Sequence, residues 1–489
     1  MDAPESEKIY SWLCSFISLE GGLGGKAASA AEEHFKLDRI RILADMADHP
    51  EKSAPILHIA GSKGKGSVTA MIASILEAAG KKTARYMSPH VSNWRERISL
   101  GGGFFPEPVY AAAGKELRQV YRNYKDSLRS GGEPTFFELA TLYFFLCARI
   151  ARCEALVVET GLGGRLDATN IVDPLVSVIT IIEKEHTGFL GNTLEAIAAE
   201  KAGIIKAGRP VVLAEQGDTV REVFVKTAAE RNAPLLYLPD HVEIRNIRIH
   251  REGTDCTLRF SNSPADAFRA AVPLEAGGSP GFSGEASAKE AVLTVPIPGR
   301  IQVGNAALAV LAVRTAFPNL PDCPGGLGEL SLPARFERLD KYPPLILDGA
   351  HTPVSVTQCA ATFSELYGEG ILLFGCASDK DAETMAGILV PRFSRHIITA
   401  PGKARDSRPQ AVYEAFMRSA EAEGKRTGST PPEILLIPDT AEALTEASGY
   451  AKERGLPLLV CGSFYLAGEV RNILMPPGRC ASVHRSGDR

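Results

Sequence analysis

At 489 residues the chain is too long for one ordinary core, and two domains are expected. Hydrophobic residues make up 45% and charged residues 23%, with a formal net charge of −4, which argues against a disordered chain and against nucleic acid as a partner; a small soluble ligand is the default. Nine scattered cysteines without a CxxC pair argue against a disulfide framework or a zinc site and suit a reducing compartment.

The first residues, "MDAPESEKIY", lack the basic-then-apolar layout of a signal peptide, so a cytoplasmic protein is expected. The first strand is "PILHIA", and Val68, Met71, Ile72, Ile75, Leu76 and Ala79 then mark one apolar face of a helix. Between them lies "GSKGKGS", made of Gly61, Ser62, Lys63, Gly64, Lys65, Gly66 and Ser67. A glycine-rich turn entering a helix aims unpaired N–H groups and the positive helix end at one point, the arrangement that holds phosphate. The strict P-loop spacing fails, because Ile59 stands where its first glycine belongs and Gly66 separates Lys65 from Ser67; a plain strand-to-helix turn is the alternative.

The most apolar stretch, "LATLYFFLCARIA", is broken by Arg149 and falls short of the ~20 residues that a membrane span needs. "ALVVET" is a strand that ends in Glu159, and "LVSVITII" is another, followed by "EKEHTGFLGNT" with Glu185 and His186. Ligands of an open parallel sheet gather at the carboxyl ends of its strands, so these residues and the glycine turn can share a crevice, where a hard divalent cation would take oxygen ligands. Taken singly, a carboxylate at a strand end is more often a cap or ion-pair partner than a metal ligand, and the histidine reads equally as a structural residue. A helix over 192–207 carries Lys201, which the pattern alone places on a helix surface, and "PVVLAE" is a further strand.

Residues 240–298 break this alternation with "VEIRNIRIH", "CTLRF" and the loop "EAGGSPGFSGEASAKE", a β-rich appendage. The helix "NAALAVLAVRTA" and a Pro/Gly-rich linker, "FPNLPDCPGGLGELSLPA", come next. Strand-like runs then resume with "PLILDGA", "GILLFGC", "HIITAP", "PEILLIPD" and "LPLLVCGS". The expected fold is α/β: a P-loop-type ATPase domain with a mostly parallel sheet over residues 1–330, and a smaller Rossmann-like α/β domain over 331–489.

Taken together, "HIAGSKGKGS", "SPH" with "RERI", "TFFE", "ETGLGGRLDATN", "EHTGFLGNT", "EKAGI", "PARFE", "LDGAHT", "SDKD" and "GSFYLAGEV" resemble, in this order, the folylpolyglutamate synthases and dihydrofolate synthases, relatives of the Mur ligases. The resemblance implies an ATP-dependent amide ligase that phosphorylates a folate or dihydropteroate carboxylate and joins L-glutamate to it. It also implies roles for residues. Residues 61–67, Asn305, Arg335 and Asp348 would contact ATP; Ser88, Glu159 and His186 would hold Mg2+, with two sites implied; Lys201 would be carbamylated. His351 and Ser463 would face the reaction centre from the second domain, and Thr135, Phe136, Phe137, Glu138 and Asp167 would lie where the pterin sits. Glu185 departs from the family's usual aspartate, and Ala334 from its glycine. Two domains sharing one site imply closure about a hinge near 320–333. A monomer is expected. The alternatives are a Mur-type ligase acting on another carboxylate and a non-catalytic nucleotide-binding relative; no N-K-x-D base-reading signature of a P-loop switch occurs.

Overall fold

The computed structural model describes residues 3–17, 37–127, 132–184, 190–261, 290–320, 324–328, 330–402, 406–428 and 430–476. His186, Glu185 and most of the loop "EAGGSPGFSGEASAKE" fall outside them.

An eight-stranded sheet is built from β1 (Ile56–Ala60), β2 (Thr83–Tyr86), β3 (Ile98–Leu100), β4 (Gly103–Phe104), β5 (Ala155–Glu159), β6 (Val176–Ile179), β7 (Val211–Leu213) and β8 (Leu235–Tyr237). Its order is β4-β3-β2-β5-β1-β6-β7-β8, and all neighbours are parallel except the β2-β3-β4 edge. Helices cover both faces, so β1 and β5 are buried at every residue, as their unbroken apolar runs require. Because β1 lies between β5 and β6, the three loops that follow these strands meet at one edge. The helix Lys65–Ala78 follows β1 and packs against the helix Arg300–Ala316. The apolar stretch before residue 151 is the helix Phe136–Ile150, buried along most of its length.

The appendage is an antiparallel sheet of β9 (Val242–His250), β10 (Gly253–Phe260) and β11 (Glu290–Val295), with β10 in the middle. A six-stranded sheet follows, ordered β12-β13-β17-β14-β15-β16: β12 (Glu337–Lys341), β13 (Pro344–Leu347), β14 (Ile371–Phe374), β15 (Arg395–Ile398), β16 (Glu433–Leu436) and β17 (Leu458–Cys461). Only β12 runs antiparallel to its neighbour.

The expected linker is not a free tether. Leu327, Leu330 and Leu332 are buried, Ser74 Oγ donates to the Gly326 carbonyl at 2.6 Å, and a Cβ on Gly326 would stand 3.0 Å from Ile75 Cα. Residues 324–328 are thus docked on the first helix after β1. The backbone turns sharply just beyond, where Ala334 (φ 53°) and Phe336 (φ 49°) are both left-handed.

Candidate active site

The turn after β1 is shaped by close approach. A Cβ on Gly61 (φ 149°) would overlap Thr180 Oγ1, and one on Gly64 (φ 88°) would lie 2.6 Å from Asn305 Oδ1. Glycine is required at both positions, and Gly64 caps the helix that begins at Lys65. The turn is also stitched to the end of β6: Ser62 N–H donates to the Ile181 carbonyl at 2.9 Å and Ser62 Oγ to the Glu183 carbonyl at 2.9 Å. Ser67 is buried in the first helical turn. Asn305 stands over the turn, its amide donating to Gln302 at 3.1 Å.

Lys65 and Lys201 share one acceptor. Their Nζ atoms donate to the Gly61 carbonyl at 2.9 and 2.8 Å. Lys201, expected on a helix surface from its pattern alone, is 1% exposed near the end of the helix Leu194–Ala202. The turn therefore carries two cationic ends at the foot of β1.

Glu159 closes β5 beside this turn. It is buried, and its Oε2 accepts the Ser88 N–H at 3.3 Å. Burial pushes its carboxyl up to about 7, against the pull of Lys65, the Ser88 N–H, Arg335 and Arg97. A buried carboxylate pressed this far toward neutrality suits a cation that would pair with it. The hydroxyls of Thr160 and Thr180, at the ends of β5 and β6, are buried and lack a hydrogen-bond partner among the described residues. Among those residues no group of three or more His, Cys, Asp and Glu is placed to hold a metal ion. A Mg2+ ion held by one carboxylate, a serine, phosphates and water fits this donor set better than an all-protein cage.

The second sheet contributes from its own strand ends. After β13, Asp348 accepts the Phe336 N–H at 2.9 Å and the Ala350 N–H at 2.8 Å, fixing "PARF" against "DGAH"; burial raises its carboxyl. Arg335 stacks 4.2 Å from the centre of the Phe464 ring and feels the charges of both Asp348 and Glu159, so it faces both domains. His351 Nδ1 bonds the Gly349 carbonyl at 2.7 Å, and its Nε2 lies 3.2 Å from Lys63 Nζ. Ser463 follows β17 and caps the helix Phe464–Leu474, accepting the Tyr465 N–H at 3.0 Å.

The residues expected near a pterin divide into two groups. Thr135 and Glu138 form a capping box on the helix Phe136–Ile150, and both Glu138 oxygens are also bonded by buried Arg39. Asp167 Oδ2 accepts the N–H groups of Gly161 and Leu162, each at 2.9 Å, while Oδ1 takes Thr169. These three polar side chains are engaged in shaping the local backbone. Phe136 is buried under Arg97. Phe137 meets the glycine loop after β5: a Cβ on Gly161 would stand 2.4 Å from its ring.

Behind that loop is a residue that sequence patterning did not single out. His58, wholly buried in β1, bonds Thr169 Oγ1 at 2.8 Å, and Thr169 bonds Asp167 at 2.5 Å. The signal was a histidine inside an otherwise apolar strand. Burial, with Lys206 nearby, holds its pKa down to about 3, so it stays neutral.

Comparison with known proteins agrees with this geometry. Residues 117–313 match the family profile "Mur ligase middle domain", and residues 334–464 match "Mur ligase, glutamate ligase domain". The chain is 30% identical to the dihydrofolate synthase/folylpolyglutamate synthase of Bacillus subtilis over 90% of its own length and 94% of that protein. It is 28% identical to the folylpolyglutamate synthase of Lacticaseibacillus casei, covering 89% of this chain and 94% of that one. Its fold superposes on Mycobacterium tuberculosis folylpolyglutamate synthase complexed with ADP with a TM-score of 0.78 and 25% identity, covering 96% of this chain and 98% of that one. Two facing strand-end clusters, a glycine turn with paired lysines, and likeness over nine-tenths of the length lead to one conclusion: the chain belongs to the folylpolyglutamate synthase and dihydrofolate synthase family of Mur ligases.

Proposed function

We propose that the protein is an ATP-dependent ligase that adds L-glutamate to a folate or dihydropteroate acceptor. The observation that carries this reading is the meeting of the two domains at Lys63 and His351, which sets the glycine turn and Glu159 opposite the loops after β13 and β17.

In this reading a carboxylate oxygen of the folate takes the γ-phosphoryl group of ATP, giving an acyl phosphate and ADP. The amine of glutamate then attacks the acyl carbon, and the tetrahedral intermediate expels phosphate as the amide forms. The chain's own residues position and neutralise. The turn's N–H groups and Lys65 hold phosphate oxygens, Asn305 and the Arg335–Asp348 pair bind the nucleotide, and neutral His351 accepts a hydrogen bond at the reaction centre. Ser463 faces the same centre. Glu159 and Ser88, with His186, would hold Mg2+ in two sites, and the metal would offset phosphate charge during transfer. Carbamylated Lys201 would add an anionic ligand. Phe137 and the glycine loop after β5 offer a flat apolar wall for a pterin. The reading includes a monomeric enzyme of small molecules in the cytoplasm; among the described residues no helix is long and apolar enough to cross a membrane.

The test is glutamate-dependent phosphate release from MgATP, with dihydropteroate and tetrahydrofolate in separate reactions. Turnover with both acceptors defines a bifunctional enzyme, and turnover with one assigns the step. Silence with both, from folded protein that still binds ATP, overturns the folate reading and leaves a ligase of another carboxylate or a non-catalytic nucleotide binder.

A further inference from the structure

We propose that Gly468, Arg471, Glu337 and Ser92 form a latch that sets how the second domain docks on the loop carrying Ser88. The kinetic consequences of the latch rest on the ligase reading above.

The contact begins with the helix Phe464–Leu474. A Cβ on Gly468 would stand 2.0 Å from the Val91 carbonyl oxygen, so only a glycine lets this helix lie directly on the loop of the first domain. Gly468 sits in regular helix, without a positive φ, so close approach rather than backbone freedom is what asks for glycine there. Arg471 lies three residues on, on the same helix face. Its Nε donates to Glu337 at 3.0 and 3.3 Å, and its Nη1 donates to Ser92 Oγ at 2.9 Å.

Each partner of Arg471 is tied to something that matters for the site. Glu96 accepts the N–H groups of Val91 (2.6 Å), Ser92 (3.2 Å) and Asn93 (3.0 Å) and the hydroxyl of Ser92 (2.8 Å). That crimp holds the turn rigid, with Ser92 available to Arg471, and the same loop brings the Ser88 N–H to Glu159. Glu337 Oε2 also accepts the Ala334 N–H at 2.9 Å, next to Arg335. Arg471 thereby joins the last helix, the left-handed turn between the domains, and the loop of Ser88. Seating of the helix aligns Ser88 and Arg335 together, making Arg471 and Gly468 positioning residues for closure.

Gly468→Ala is the sharpest test, because alanine favours the helix by about 1 kcal/mol and so should not unfold it. Four quantities are read on the full chain: affinity for a fluorescent ATP analogue, KM and kcat for glutamate, and radius of gyration by X-ray scattering in saturating MgATP. The variant is expected to bind the ATP analogue more weakly, to lose about tenfold in kcat/KM for glutamate, and to scatter as a more open particle. Wild-type kinetics with wild-type scattering would overturn the latch. If wild-type protein turns over no folate at all, the functional reading fails, and scattering alone still decides the latch. Should Gly468→Ala misfold, Ser92→Ala and Arg471→Ala replace it: the double variant is expected to be no worse than Arg471→Ala alone, and additive losses refute the coupling. Arg471→Lys, which keeps the charge but cannot fork to both partners, should recover only part of the loss; full recovery would count against the geometry.

Discussion

Lys63 Nζ and His351 Nε2 stand 3.2 Å apart across the two domains, although 288 residues separate them in the chain. His351 bonds the Gly349 carbonyl through Nδ1, so that nitrogen carries the proton and Nε2 presents its lone pair to Lys63. Burial, reinforced by Lys63, holds the imidazole down to about 3. The ring is therefore a neutral acceptor throughout the working range. The expected consequence is coupling of about 1.5–3 kcal/mol between Lys63→Ala and His351→Ala in kcat/KM for glutamate-dependent phosphate release. A double-mutant cycle measures it, and additive losses would show that the contact has no part in turnover. His351→Gln should also leave no changed limb near pH 6.5 in the rate profile.

Lys65 bears on a different step. Its Nζ rests on the Gly61 carbonyl at 2.9 Å, at the mouth of the helix where phosphate charge would collect. Lys65→Ala should lower kcat by about 10²- to 10³-fold by removing a preorganised cation. Single-turnover kinetics check it, and an unchanged kcat would end the phosphate-cradle reading.

Much of this arrangement was legible before the fold. Short apolar runs such as "ALVVET" and "GILLFGC" announced parallel strands, because strands buried on both faces cannot alternate polar residues. "GSKGKGS" was legible for the same kind of reason, since only glycine fits against Thr180 and Asn305. What could not be read was whatever depends on packing between distant segments. Lys201 looked like a surface residue because helical periodicity does not report a buried hydrogen bond to Gly61, 140 positions away in the chain. Glu138 and Asp167 are carboxylates in an informative neighbourhood, but their oxygens are engaged by backbone and by Arg39, which no spacing shows. The Pro/Gly-rich linker has the composition of a tether, yet three of its leucines are buried, leaving the sharp turn at 334–336.

That turn makes a stability prediction. Ala334 holds φ at 53°, where a Cβ costs roughly 1 kcal/mol relative to glycine. Ala334→Gly should raise unfolding free energy by no more than about 0.5 kcal/mol, after the ~0.4–1 kcal/mol of entropy that glycine adds to the unfolded chain is subtracted. Urea unfolding of both proteins measures it. A destabilised variant would mean that the Ala334 methyl, wholly buried, contributes more by packing than it costs in backbone strain.

His58 predicts how stability depends on pH. Its folded pKa of about 3 lies below the ordinary 6.5, so between these values the unfolded chain binds a proton that the folded chain refuses. Unfolding free energy then falls as pH falls below 6.5, by up to about 1.4 kcal/mol per pH unit from this residue. His58→Gln keeps a donor for Thr169 but cannot titrate. Its urea midpoint should decline less steeply than wild type between pH 6.5 and 4.5, and equal slopes would show that His58 gains its proton without unfolding.

Lys201 gives the most decisive chemical prediction. As an amine it donates to the Gly61 carbonyl at 2.8 Å; a carbamate keeps one N–H on Nζ for that carbonyl and adds two anionic acceptor oxygens beyond it. Carbamylation would therefore replace a positive charge with a negative one at this position and leave Lys65 as the cation on the Gly61 carbonyl. Activity should fall when carbon dioxide is stripped from the buffer and return with bicarbonate, and 13C-bicarbonate should give a carbamate resonance absent from Lys201→Ala. That variant should be nearly inactive and partly rescued by short carboxylates. Lys201→Arg preserves a cation at Gly61 without a carbamate, so full activity in Lys201→Arg would mean that charge on the turn, and not an anionic metal ligand, is what the site requires.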